Sequence, residues 1–296
     1  MAITLGPNQY GKAETRLVTV RRDGPAHRLT DLNVSVALRG DLAASHLTGD
    51  NSHVVTTDTQ KNTVYAFAKQ APVGQIEEFA LRLGRHFTGA FEFISDARIM
   101  IEQYGWERID VVGQPHPHAF RRGADEKRTT AVTVAGSRAW VVSGLTDLIV
   151  LKSAGSEFHG YPMDPYTTLP ETSDRILATA VTARWRYSTL DVDWAARYDS
   201  VRAALLETFA TKHSLALQQT LYAMGEAVLE RHPDIAEIRL SLPNKHHFEV
   251  DLTAFGLINE NEVFQAADRP YGLIEGIVRR DDAPDPGLAW HTLTTF

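Results

Sequence analysis

The chain has 296 residues, enough for two domains, and its 43% hydrophobic and 23% charged residues are typical of a globular protein. Its 30 Lys and Arg against 37 Asp and Glu give a net charge of -7, which argues against a nucleic-acid partner because binding phosphates requires clustered cations. It has no cysteine, which excludes disulfides, thiolate nucleophiles, iron–sulfur clusters and Cys-ligated zinc.

The first half of the chain predicts strands, then helices, then strands. In segment 31–39, Leu32, Val34 and Val36 alternate with polar residues, which is the period of a half-buried strand. Between residues 76 and 87 the apolar residues instead recur at helical spacing. The predicted order is strands over 15–22 and 31–39, helices over 76–87 and 92–104, a break at 113–118, and strands over 129–134 and 139–143.

The second half of the chain repeats this order. A strand is predicted over 179–187, helices around 201–212 and 221–229, and strands over 238–242 and 248–252. The repeated unit of two strands, two helices and two strands predicts an α+β protein made of two duplicated domains, 1–136 and 137–296. The alternative at this level is a pair of unrelated α+β domains that share an element order.

Common cofactor motifs are absent from the sequence. No Gly-x-Gly-x-x-Gly follows a strand, and neither a phosphate loop nor His-Glu-x-x-His occurs. The close histidines His116 and His118, and the pair His246 and His247, raise the question of a metal. Zinc needs three or four ligands, however, and the prolines on both sides of His116 favour a rigid loop. We therefore expect no metal and no cofactor.

Targeting and membrane segments are also not expected. The first residues lack a basic region followed by an apolar core, and no apolar run approaches the roughly 18 residues of a membrane span. The final Leu-Thr-Thr-Phe is not a peroxisomal signal of the Ser-Lys-Leu type. These observations predict a cytoplasmic protein without a membrane partner.

Four parts of the chain carry more polar residues and glycines than a core or a turn requires. They are 8–12, 54–65, 151–158 with 172–177, and 241–248 with 217–220 upstream of it. Each of these parts also has a local structural explanation. Thr57 and Asp58 could cap a helix, Lys12 could be a solvated charge, and Arg175 could pair with Asp174 at the surface. Phe158 could simply be a core residue.

Taken together, six stretches resemble the urate oxidase (uricase) family, which has the tunnelling fold. They are Tyr-Gly-Lys at 10–12, Thr-Asp-Thr-Gln-Lys-Asn-Thr-Val-Tyr at 57–65, Glu-Phe-His-Gly at 157–160, the run 166–177, Leu-Pro-Asn-Lys-His-His-Phe at 242–248, and Asn-Glu-Val-Phe at 261–264. The resemblance implies two tandem tunnelling-fold domains, each an antiparallel four-stranded sheet with two helices packed on one face. It also implies a homotetramer with active sites between subunits.

The same resemblance implies a role for each matching polar residue. Lys12 and Thr57 would form a catalytic dyad that relays a proton, and His246 would belong to the same relay. Such a chain suits an amine that acts as a general base through a hydroxyl. These three residues are the expected catalytic residues.

The remaining matching residues would hold the substrate. The resemblance implies that Arg175 and Gln218 clamp the edge of the purine while Phe158 stacks on its ring. A guanidinium and an amide each offer a flat two-point edge, and an aromatic ring covers a π-face. Backbone N–H groups of Thr57, Asp58 and Leu217 would meet ring and carbonyl acceptors. Asn244 would help to hold the oxygen or water site above the ring.

The implied reaction oxidises urate with molecular oxygen to 5-hydroxyisourate and hydrogen peroxide, in purine catabolism. Removing a proton makes urate electron-rich, so that the ionised purine supplies the electrons and needs no flavin, haem or metal. Two alternatives remain at this point. One is another tunnelling-fold purine or pterin enzyme of the zinc-dependent cyclohydrolase or synthase type. The other is a non-catalytic purine-binding assembly protein.

Overall fold

A computed structural model describes residues 2–293 of the chain and divides it into two compact units. Unit 1 comprises Met1–Gly144, Arg186–Ala195 and Pro284–Phe296, and unit 2 comprises Leu145–Trp185 and Ala196–Ala283. Most of the C-terminal tetrapeptide considered above as a targeting signal lies outside the described residues. The domain boundary after residue 136 stays a prediction.

Unit 1 contains an antiparallel sheet with helices packed on it. Its elements are β1 (Tyr10–Arg21), β2 (Arg28–Gly40), α1 (Ala43–Leu47), α2 (Thr57–Gln70), α3 (Ile76–Ala90), β3 (Ile94–Val111), β4 (Gln114–Ala135) and the beginning of β5 (Arg138–Lys152). The strand order is β1-β2-β3-β4, and each neighbouring pair is antiparallel. Helix α3 packs on β3 and β4, and α2 packs against β1.

Unit 2 repeats this arrangement. It contains the rest of β5, most of β6 (Leu177–Tyr187) and α4 (Trp194–Thr211), then α5 (Leu217–Arg231), β7 (Ile235–Pro243), β8 (His246–Glu249), a 3₁₀ turn (Thr253–Phe255), β9 (Phe264–Ala267) and β10 (Leu273–Arg279). Within this unit the order is β5-β6-β7-β10, and β8 and β9 form a separate two-stranded ribbon. Helix α5 packs on β7 and β10. The α+β class and the repeated unit are confirmed.

In each unit, one helix lies unusually close to the sheet of that unit. Gly84 is the ninth residue of α3, and a Cβ there would lie 2.6 Å from Cγ2 of Val134 on β4. Gly225 is the ninth residue of α5, and its Cβ would lie 2.5 Å from Cγ2 of Val278 on β10. Because both distances are shorter than a van der Waals contact, a larger residue at that position would force the valine or the helix to shift. The same solution in both units supports duplication.

One predicted helix was wrong, and one helix was not predicted. The helix expected over 92–104 is part of strand β3, in which Ala97, Ile99 and Ile101 are fully buried on alternate positions. Helix α2 was missed because only Gln60, Thr63 and Val64 of its residues are buried, so that its apolar face is too narrow to show in the sequence.

Two further boundaries shift. The break expected at 113–118 is a two-residue turn at Val112 and Gly113, both with positive φ, after which β4 begins at Gln114. The strand expected over 248–252 is the shorter β8, which pairs with β9 rather than with the four-stranded sheet. In the described part of the chain, none of the helices has the length and apolar composition to cross a membrane.

Candidate active site

Lys12 lies on β1 beside a local irregularity of the sheet. It pairs with Val36 of β2, and the register then shifts between Lys12 and Thr15. Within this bulge Glu14 has a φ of 56, and its N–H donates to Ser35 Oγ at 2.9 Å. A bulge of this kind bends the strand and redirects its side chains. The half-buried Lys12 side chain is therefore placed by the irregularity as well as by the strand.

Thr57 and Asp58 begin helix α2, and both are exposed in the single chain. Thr56 caps the helix by accepting from the N–H of Thr59 at 3.0 Å. The N–H groups of Thr57 and Asp58 belong to the first turn, where no intrahelical acceptor exists. These two donors and the positive end of the helix dipole suit an anionic ligand. The cap interpretation of this motif was close, but Thr56 is the capping residue.

The carboxylate of Asp58 is held by its own helix. It accepts from Lys61 and, at 2.8 Å, from Asn62. The hydrogen bond and charge of Lys61 lower the pKa of Asp58, and Asn62 and the charge of Lys12 add to this effect. Lys12 and Asp58 thus lie in the same part of unit 1. Sequence reasoning did not single out Lys61 and Asn62, although their spacing of three and four residues from Asp58 was a usable signal.

Lys12 and Thr57 are not joined directly. Among the described residues of unit 1, no hydrogen bond connects the Lys12 ammonium to the Thr57 hydroxyl. The dyad is a prediction that the geometry of the single chain leaves open, since catalytic hydrogen bonds often tighten only when substrate binds.

In unit 2, Phe158 is held by its backbone and by a second ring. Its N–H donates to Thr172 O at 2.9 Å, and the N–H of Thr172 returns a bond of 3.0 Å. The ring of Tyr161 stacks on Phe158 with centroids 4.9 Å apart and an interplanar angle of 19°. The guanidinium carbon of Arg175 lies 5.0 Å from the centroid of the Phe158 ring. Phe158 and Arg175 are therefore brought together, and Tyr161 is a supporting residue that sequence reasoning missed.

Arg175 has an unused hydrogen-bonding atom. Its Nε is buried and has no hydrogen-bond partner in the described part of the chain. Burial lowers the pKa of Arg175, but a guanidinium stays charged in proteins. The alternative of a surface pair with Asp174 does not apply, because the Asp174 carboxylate accepts from the N–H of Gly155 at 2.9 Å and no ion pair joins it to Arg175 in the described chain. A partly buried cation with an unused donor is costly unless it is paired, so we expect this site to bind an anion.

Asn244 lies between β7 and β8, next to the start of β6, and His246 is the first residue of β8. The N–H of Asn244 donates to Gly272 O, and the N–H of Lys245 donates to Ala178 O, each at 2.8 Å. The second bond keeps this loop close to Arg175, which precedes β6. Burial is the largest cause of the lowered pKa of His246, and the charges of Arg175 and His247 lower it further. His246 is thus a neutral imidazole near neutral pH, which can accept a proton.

Leu217 and Gln218 are the first residues of α5. Leu217 is buried, whereas Gln218 is exposed. The helix has no side-chain cap, because Ala216 precedes it. The N–H groups of its first turn therefore lack an intrahelical acceptor, as in α2.

The site residues thus fall into two groups, which we call group 1 and group 2. Group 1 lies in unit 1 and consists of Lys12, Thr57 and Asp58, and group 2 lies in unit 2 and consists of Phe158, Arg175, Leu217, Gln218, Asn244 and His246.

The histidines considered for a metal have other partners. His116 and His118 lie in β4 with ring centroids 4.5 Å apart. His246 stacks on Phe248 at 5.5 Å, and His247 bonds to Lys245 O. Among residues 2–293 no three His, Asp or Glu side chains form a group that could hold a metal ion.

Comparison with protein families and relatives gives a consistent result. The family model described as uricase matches residues 8–133 and 141–275. A uricase from Arthrobacter globiformis is 56% identical over 294 residues, covering 99% of this chain and 96% of that protein. A uricase from Dictyostelium discoideum is 38% identical over 284 residues, covering 94% of this chain and 98% of its own length.

Solved structures agree with the sequence relatives. The crystal structure of uricase from Arthrobacter globiformis superposes with a TM-score of 0.92 at 57% identity and covers 96% of this chain and 98% of that chain. A uricase from Bacillus fastidious superposes with a TM-score of 0.81 at 26% identity and covers 95% and 96% of the two chains. The similarity therefore extends through both units.

Proposed function

The chain belongs to the uricase family, with two tandem tunnelling-fold domains, and from this premise we propose how its residues oxidise urate with molecular oxygen. The reaction consumes urate, oxygen and water, and it yields 5-hydroxyisourate and hydrogen peroxide. Group 2 and the backbone N–H groups of Thr57 and Asp58 hold the purine, and the catalytic residues remove its proton. The ionised purine then supplies both electrons to oxygen, and no added cofactor is needed.

Substrate binding rests on shape and charge. Arg175 and Gln218 grip the flat edge of the urate anion, and Phe158 covers its face. The observation that carries this assignment is the guanidinium of Arg175, which lies 5.0 Å from the Phe158 ring centroid and whose buried Nε has no partner among residues 2–293. A planar anion stacked on that ring would satisfy the free donor. The N–H groups at the starts of α2 and α5 (Thr57, Asp58 and Leu217) supply further donors to its rim.

Proton transfer runs through Lys12, Thr57 and His246. The Lys12 amine acts through the Thr57 hydroxyl as general base, and the neutral His246 passes the proton on. The lowered pKa of His246 supports this role, because it keeps the imidazole able to accept a proton. Asn244 lies two residues before His246 and holds the oxygen or water that meets the purine face.

Turnover without additives tests the function. Purified protein treated with a chelator and then freed of it should remove urate, seen as loss of its ultraviolet absorbance, with matching oxygen uptake and peroxide release. Because the purine is the reductant, adding metal ions or flavin should change the rate little. Protein that is inert in air and becomes active only on adding an ion or a redox coenzyme would contradict the proposal.

We further propose a homotetramer in which each active site forms between copies of the chain, in the cytoplasm. Thr57, Asp58 and Gln218 are exposed in the single chain. This supports the placement, because groups that bind an anion away from solvent must be shielded from water, here by another copy of the chain. The cytoplasmic location can be tested by cell fractionation followed by the urate assay.

Complementation between two inactive variants tests the interface. If Lys12 of one copy serves Arg175 of another, co-expressed Lys12→Ala and Arg175→Ala chains should regain about a quarter of wild-type sites by random assembly. Each variant alone should stay at its own low level. If the mixture shows only the mean of the two variants, each site is built within one chain.

A further inference from the structure

The carboxylate of Glu157, next to Phe158, accepts hydrogen bonds from two histidines. Oε2 is 2.8 Å from Nε2 of His159, and Oε1 is 2.7 Å from Nε2 of His213. The Glu157 side chain is 18% exposed, whereas both histidine side chains are more than half exposed. One acidic side chain is thus covered by two basic ones, and sequence reasoning assigned none of the three a role.

The two histidines lie on different segments. His159 is two residues after Glu157, so this bond stiffens the segment that carries Phe158. His213 belongs to the loop between α4 and α5, four residues before Leu217, the first residue of α5. The bond from His213 therefore ties the Phe158 segment to the loop that leads to Leu217 and Gln218.

Backbone hydrogen bonds join the same segments, and together with the side-chain bonds of Glu157 they form a frame of three segments: 155–158, the residues before Arg175, and the loop before α5. Glu157 N donates to Ser214 O at 2.8 Å, and Ser214 N donates to Gly155 O at 3.0 Å. On the other side, Phe158 exchanges two backbone bonds with Thr172, and Asp174 accepts from the N–H of Gly155. The segment 155–158 therefore lies between the segment before Arg175 and the loop before α5. Glu157 supplies the side-chain bonds of this frame toward α5.

We propose that Glu157, through His159 and His213, is a positioning residue that sets the spacing between the Phe158 ring and the start of α5. Given the proposed function, this is the spacing between the stacking face and the Gln218 edge of the purine. Ground-state binding and the transition state use that spacing alike, so its loss acts mainly on KM. None of the three residues touches substrate in this assignment.

The test compares kcat and KM for urate in Glu157→Ala, Glu157→Gln and wild type. For Glu157→Ala we expect KM to rise about tenfold, less than the roughly hundredfold that a misplacement of about 1 Å can cost, with kcat changed by less than about twofold. Glu157→Gln should fall in between, because its amide oxygen still accepts one bond but the charge is lost. His213→Ala should also raise KM. Adding it to Glu157→Ala should have little further effect, because both substitutions remove the same contact between Glu157 and His213.

Glu207→Ala is the matched control, because it removes another carboxylate of unit 2 whose partner is Arg231, at 2.8 Å. It should leave both constants unchanged. An unchanged KM in Glu157→Ala, or a fall in kcat alone, would overturn the positioning role while the wild-type assay still supports urate oxidation. Equal melting temperatures of the variants show that a KM change is not partial unfolding.

Discussion

Replacing Lys12 by alanine is expected to lower kcat for urate oxidation by about two to four orders of magnitude, the range of a lost general base. Urate binding should change little, because in our assignment Lys12 moves a proton and does not hold the purine. Anaerobic titration with urate measures binding without turnover, and the aerobic assay gives kcat. Lys12 is half-buried beside the β1 bulge, so its removal leaves no large cavity.

Two controls separate proton transfer from charge. Lys12→Arg keeps a positive charge but cannot give up its proton at neutral pH, so it should be nearly as slow as alanine. Lys69→Ala removes an exposed lysine from the end of α2 and should be indistinguishable from wild type. Full turnover in Lys12→Arg would show that the position supplies only charge.

Arg175→Ala is expected to act on binding instead. It removes two charge-assisted hydrogen bonds to the urate anion, each contributing about 1.5 kcal/mol or more. Their sum of about 3 kcal/mol corresponds to a rise of roughly a hundredfold in the dissociation constant. Anaerobic titration should show this rise directly, and kcat at saturating urate should fall much less than in Lys12→Ala.

The replacement should also change the titration of His246. The Arg175 charge contributes to the lowered pKa of His246, so Arg175→Ala should raise the pH at which His246 takes up a proton. A conservative Arg175→Lys keeps a charge without the planar fork and should recover only part of the affinity. Arg184→Ala, an exposed arginine of β6, is the matched control and should bind urate normally. Normal affinity in Arg175→Ala would remove the clamp assignment.

The hydrophobic spacing in the sequence predicted secondary structure correctly where buried residues recur at regular intervals. The alternation of Leu32, Val34 and Val36 predicted β2, and all three side chains are buried. It failed for β3, because Ile99, Met100 and Ile101 form a nearly continuous apolar run that fits helix and strand alike. It failed for α2, because only Gln60, Thr63 and Val64 of this helix are buried and its apolar face is too narrow to show in the sequence.

The residue types and order of the motifs in the sequence were enough to identify the family and to nominate Arg175, Phe158 and Lys12. The duplicated unit was also visible there, because strand and helix periods follow directly from which side chains must be buried. Only the tertiary structure decided that Arg175 lies near Phe158 with an Nε that has no partner in the described part of the chain, that Thr56 is the cap of α2, and that Glu157 bonds to His213. These contacts join residues far apart in the chain or depend on the direction of single atoms, and neither is encoded in local hydrophobic spacing.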